Sequence, residues 1–230
     1  MAIGFDVISD LYLEPDETLN WEGKATSLYC VISGNISRDI KTIRQTLIHL
    51  GRYYQGVFYC LGALEYYDCD NIESRTQEIH KVTSMIRNVA LLHQHVVIID
   101  NIAVLGVNGW YANTQPVDIL TDAKIEQHRH SDIVYLRQSL DKLQRHLDVK
   151  KIFIVSNSVP GPELFFGQEP EHAKAQLPIN IALEADTEHK VSHWAFGTYD
   201  KNVNVTIKDV TYINNSCFMQ DPYWPKRVEI

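Results

Sequence analysis

The chain is short of several things at once, and each shortage removes a class of protein. Its four cysteines include no CxxC pair. Cys30 and Cys60 lie in apolar strand-like runs, Cys69 in a polar loop and Cys217 near the end, which points to free thiols in a reducing compartment rather than to disulfides or a zinc site. No stretch of about 18 apolar residues occurs, so no membrane-spanning helix is expected. The opening Met1-Ala2-Ile3-Gly4-Phe5-Asp6 has neither a basic region nor a cleavage-like site, so a cytoplasmic protein, or one assembled into a particle made in the cytoplasm, is expected. Basic charge is also scarce: 21 Lys and Arg stand against 29 Asp and Glu, a formal net charge of −8, which works against binding a phosphate backbone. There is no Walker-type loop, no dinucleotide glycine fingerprint, no Ser-His-Asp order and no internal repeat.

What is present is an alternation of strand-like and helix-like segments. With 230 residues and 45% hydrophobic content the chain can bury one sizeable core, and a single domain over 1–230 is the simplest count. Ile36, Ile40, Ile43, Leu47 and Leu50 recur at helical intervals before Gly51. Ile79, Val82, Ile86 and Val89 suggest a second helix behind the capping candidates Asp70 and Asn71, and Ile133, Leu136, Leu140, Leu143 and Leu147 a third. Between them β-rich runs cover 28–33, 57–61, 96–99, 102–107, 152–156 and 203–207. This pattern predicts a layered α/β fold, mixed β-sheets flanked by helices, with site residues on loops at strand ends. Residues 160–178, rich in Pro, Gly and Glu, read as a long surface loop. Within it Leu164, Phe165 and Phe166 form an apolar triplet that could anchor a protein interface or fold back onto the core.

Five blocks at those strand ends carry a further pattern. Ser9-Asp10-Leu11-Tyr12-Leu13-Glu14 resembles the SDLHLE opening of the calcineurin-like metallophosphoesterase family, with Tyr12 at the histidine position. Ser33-Gly34-Asn35 holds asparagine where the family's bridging aspartate would stand. Gly62-Ala63-Leu64-Glu65 looks like the GNHE stretch, with Ala63 and Leu64 replacing the ligand asparagine and the histidine. Ser156-Asn157-Ser158-Val159-Pro160 is similar to the THHPP block, and Trp194-Ala195-Phe196-Gly197-Thr198-Tyr199-Asp200 to WxFGHTH, with Thr198 and Asp200 at the histidine positions. The order and spacing of the five cover nearly the whole chain, and the resemblance implies a calcineurin-like fold.

The same resemblance implies a lost activity. A dinuclear site holds two divalent ions roughly 3.5–4 Å apart, and anionic ligands must screen their repulsion. Of the family's ligand set Asp10 alone is kept, so neither a metal nor another cofactor is expected. The expectation is a pseudoenzyme, an interaction or structural subunit with a protein partner or self-association, of the kind a viral or accessory gene would encode. Alternatives stay open: Asp10, Asn35, Asn157 and Asp200 could hold one weak magnesium or calcium ion, since all offer oxygen. An enzyme with a rebuilt single-metal or metal-free site, or a nucleotide or phosphate sensor stacking its ligand on aromatics such as Tyr12, Tyr66, Tyr67, Tyr199 and Trp194, is likewise open. Tyr12 and Leu64 are expected to fill the vacated metal cavity. The pairs His93/His95 and His128/His130 lack the spacing that faces one ion on a helix and read as surface histidines, and His193 as a strand residue. Glu14, Asp16, Glu17, Glu65, Asp68 and Asp70 read as solvated acidic loops.

Overall fold

The computed structural model describes residues 2–110, 122–168 and 177–230. Two β-sheets stack face to face, and helices cover the outer face of each. In the first sheet the order is β11-β1-β2-β3-β4, formed by Gly4–Ile8 (β1), Tyr29–Ser33 (β2), Gly56–Cys60 (β3), Val89–Leu91 (β4) and Lys226–Glu229 (β11). The second runs β5-β6-β7-β8-β10-β9, from His95–Ile99 (β5), Ile102–Val107 (β6), Lys151–Ser156 (β7), Val191–Phe196 (β8), Val203–Ile207 (β9) and Val210–Asn214 (β10). Each sheet has parallel pairs at its centre; the first is antiparallel at its β11 edge and parallel at its β4 edge, and the second is antiparallel at both edges. That is the layered α/β architecture the alternation predicts.

Strand alternation sets the layers. In β2, Val31 faces the inner layer with Phe5, Val7, Phe58, Val104, Phe153, Val155, Ala195 and Ile213, drawn from both sheets. Its neighbours Cys30 and Ile32 face outward with Ile43, Leu47, Leu50 and Ile79. Those outer residues belong to the helices Ile40–Leu50 (α1) and Ile72–Ser84 (α2), while Asp122–Gln144 (α3) brings Ile133, Leu136, Leu140 and Leu143 onto the second sheet. Central strands buried on both faces read as continuous apolar runs, which is why they stand out in the sequence.

Boundaries depart from the periodic pattern where capping decides. α1 starts at Ile40 because the Asp39 side chain accepts from Thr42 N at 2.8 Å, so Ile36, although buried, precedes the helix. Asn71 caps α2 in the same way, accepting from Ser74 N at 2.7 Å. α2 ends at Ser84, and Val89, expected as its last apolar position, instead opens β4. Leu147, expected to close α3, lies beyond its end and is 84% exposed. The 160–178 segment is not a plain loop: Pro162–Phe165 form a 3-10 turn, and Ile179–Ala185 form another just beyond the segment. The part of it covering 169–176 lies outside the described residues. Leu164 and Phe165 are buried in the core beneath the second sheet, so of the proposed apolar anchor Phe166 alone, 57% exposed, remains on the surface.

Candidate functional site

β1, β2, β3, β6, β7 and β8 run parallel within their sheets, and their C-terminal ends converge on one cleft. The residues that leave those ends meet there through hydrogen bonds. Asp10, just past β1, is 1% exposed, and its Oδ1 accepts from Asn35 Nδ2 at 2.8 Å. Ser9 Oγ donates to its Oδ2 at 2.9 Å, and Thr198 N lies 3.1 and 3.2 Å from its two oxygens. Burial pushes the Asp10 carboxyl up to about 6, against the pull of these donors.

Two asparagines are locked by the backbone around them. Leu64 N donates to Asn35 Oδ1 at 3.0 Å, so the amide nitrogen of Asn35 must face Asp10. That NH2 group also lies 3.4 Å from Tyr12 OH and 3.4 Å from Thr198 Oγ1. Asn157 Oδ1 accepts from Thr198 Oγ1 at 2.9 Å and from Ala63 N at 3.3 Å, while its Nδ2 donates to Ser33 O at 2.9 Å. Turning either amide over would set N–H against N–H, so the network fixes both orientations.

The cleft is assembled from strained turns. Asp10, Tyr12, Asn35 and Thr198 all adopt left-handed backbone, with φ of 55°, 47°, 59° and 55°. Asp and Asn tolerate that region; a β-branched Thr there is a true outlier, and such strain clusters at functional sites. Gly34 (φ +82°) and Gly62 let the β2 and β3 ends touch: a Cβ on Gly34 would stand 2.8 Å from the Gly62 Cα.

Glu65 is not where its sequence context predicts. Read from sequence as a solvated acidic residue, it is fully buried and ties the β2 and β3 loops together. Its Oε1 accepts from Ile36 N at 2.6 Å and Tyr59 OH at 2.7 Å; its Oε2 accepts from Gly62 N at 2.7 Å and Asn35 N at 3.1 Å. Burial raises its carboxyl above the usual range, and the four hydrogen bonds pull it back. The signal was present, since Glu65 is the one residue besides Gly62 that keeps the GNHE-like pattern.

Not every expected residue lies inside. Asp200 is exposed at the rim; burial raises the Tyr12 hydroxyl most, with the charges of Asp10, Glu65 and Asp200 adding to it. Tyr12 does not fill a cavity: it is 44% exposed and meets the exposed Phe218 edge-on at 6.2 Å, and Leu64 is half-buried. The space is taken by the Asn35, Asn157 and Thr198 side chains. His193 sits on β8 against Phe153, three residues before the strand ends.

Beside the cleft, after β6, lies a second polar knot that the sequence did not reveal. Arg129 and Asp132 on α3 are both buried. Arg129 donates to the carbonyls of Gly109 at 2.5 Å, Trp110 at 2.7 Å and Leu177 at 2.6 Å. Asp132 accepts from Gly109 N and Gln94 Nε2, both at 2.8 Å, and burial lifts its carboxyl to about 6. His128 stacks on Trp110 at 4.8 Å and His93 is half-buried, so neither is the plain surface histidine expected. Burial lowers the pKa of both.

Comparison with known proteins places the fold. No family model and no curated protein matches the chain. Among solved structures it resembles the phosphopantetheinyl hydrolase of Mycobacterium tuberculosis, with a TM-score of 0.70 at 11% identity over 97% of this chain and 95% of that one. A Staphylococcus aureus protein assigned as a 5'-nucleotidase superposes with a TM-score of 0.58 at 13% identity, over 99% of this chain and 53% of that one. GAP50 of Plasmodium, described as the anchor in the inner membrane complex, does so with a TM-score of 0.52 at 10% identity, over 95% and 72%. The chain has a phosphoesterase-like fold. Among the described residues no helix is long and apolar enough to cross a membrane.

Proposed function

We propose that the chain is a catalytically silent member of this fold that works as an interaction or structural subunit. The observation that carries the reading is the Asn35 amide. A cation placed beside Asp10 would face an NH2 group, and that group cannot turn away without opposing its own N–H donors to Leu64 N. The donor set therefore does not fit a pair of divalent ions: one buried carboxylate is already hydrogen-bonded, and Asn35 and Asn157 oxygens are occupied by Leu64, Ala63 and Thr198. A single magnesium or calcium ion on Asp10, Asn35, Asn157 and Asp200 meets the same obstacle, and Asp200 stands outside at the rim.

The fold neighbours leave both roles open, since one is a hydrolase and another an anchor. The donor set favours the non-catalytic role, which we assign to the cytoplasm or to a particle built there, as for a viral accessory protein. A ligand-sensing reading draws on the exposed aromatics Tyr12 and Phe218 at the mouth. Against a phosphate ligand stand Asp10, Glu65 and Asp200, whose negative field is felt at the Tyr12 hydroxyl. The test is turnover of phosphomonoesters and phosphodiesters with added manganese: no rate above background is expected, and a rate abolished by Asp10→Ala would overturn the reading.

A further inference from the structure

The two sheets present four edges, and three are protected. β11 exposes Lys226, Arg227 and Glu229, charges that discourage pairing. β4 spans only Val89–Leu91. β9 turns Asn204 and Thr206 to solvent while Val203, Val205 and Ile207 pack on its own core. β5 shares with β9 its length and lack of charge, and its Val96, Val97 and Ile99 also pack on the protein's own cores, but it turns Ile98 to solvent where β9 turns Asn204 and Thr206. His95–Ile99 contains four consecutive β-branched apolar residues and no charge, none of its side chains is fully buried, and Ile98 is 46% exposed. It pairs with β6 on one side, and among the described residues no strand lies on the other. An uncharged apolar edge of this kind is a template for another strand.

We propose that β5 is the self-association edge of this protein: a second copy adds its own β5 antiparallel, joining two six-stranded sheets across a two-fold axis. Two features favour a second copy over a foreign strand. The segment is self-complementary: with the axis at Val97, Ile98 lies opposite the second copy's Val96, His95 opposite Ile99, and Asp100 opposite the neutral Gln94, so no like charges meet. The net charge of −8 makes copies repel elsewhere, and residues 91–99 carry no Asp, Glu, Lys or Arg at all. The proposal gives the interaction role its partner, yet it stands on the sheet edge alone and does not depend on the cleft being silent.

Sedimentation equilibrium on the wild-type chain and on Ile98→Lys, with thermal unfolding of both, tests it. The wild type is expected to be a dimer at micromolar concentration, and the lysine variant a monomer with an unchanged transition. If the variant loses its transition, amide exchange of the wild type decides: protection of residues 95–99 that rises with protein concentration supports the pairing, and protection independent of concentration overturns it. A wild-type monomer, a dimer untouched by the lysine, or a complex with a foreign chain in place of self-association would each refute the proposal, and none of these results bears on phosphoesterase turnover.

Discussion

Glu65→Gln isolates what holds the cleft together. The substitution is nearly isosteric but replaces one acceptor oxygen with an NH2 donor. Placed at the Oε2 position, that donor would oppose both Gly62 N–H and Asn35 N–H; at Oε1 it opposes Ile36 N–H, while the Tyr59 hydroxyl can rotate to accept. The second arrangement costs less and still strands one buried N–H, at about 1–3 kcal/mol. Loss of the carboxylate charge weakens the two backbone bonds that remain, bringing the total to about 2–4 kcal/mol. At roughly 2–4 °C per kcal/mol for a chain of this size, the melting temperature should fall by about 4–16 °C. Urea unfolding at neutral pH, with the slope unchanged, measures the same loss. A loss under about 0.5 kcal/mol would mean that Glu65 does not close the β2 and β3 loops, and the account of the cleft would fail with it.

Other outcomes follow from the same geometry. Asn35→Asp should destabilise the fold at neutral pH by about 2–4 kcal/mol, because a second carboxylate replaces the donor 2.8 Å from Asp10; equilibrium unfolding with no loss would show that the cleft tolerates paired charge. Asp10 and Asp132 both rise from 3.8 to about 6 on folding, so each adds stability that is complete below pH 3.8 and lost as pH rises through 6, about 3 kcal/mol per group; Asp132→Asn should flatten that part of the stability profile, and an unchanged profile would refute the assignment. His93 and His128 work in the opposite sense, their lowered pKa values costing stability as pH falls below 6.5, which replacement by Gln should relieve in acid unfolding. Phe165→Ser should cost about 3 kcal/mol or more and Phe166→Ser under about 0.5, measured by melting temperature; equal effects would contradict their different burial.

The sequence showed the frame better than the site. Apolar runs in parallel strands buried on both faces, such as 102–107, could be delimited to the residue, and the edge strand 203–207 was delimited as well by its Val and Ile alternating with Asn and Thr. Helix ends were less legible because side-chain caps such as Asp39, and not periodicity, set them. Within the cleft, the family resemblance brought Asp10, Asn35 and Asn157 together but counted Asp200 with them, where Thr198 makes the contacts; the hydrogen-bond directions could not be read, since they depend on backbone amides from Ala63 and Leu64. Glu65, Arg129 and Asp132 were missed for one reason: charged residues are read as solvated by default, and only three-dimensional packing shows that backbone donors and carbonyls receive them.

The central claim is that the replaced positions satisfy one another and leave no place for a metal pair. Metal content of the purified chain, measured after equilibration with manganese, iron and zinc and removal of free ion, tests it most directly. The account predicts well under one ion per chain; about two ions per chain, lost in Asp10→Ala, would contradict it.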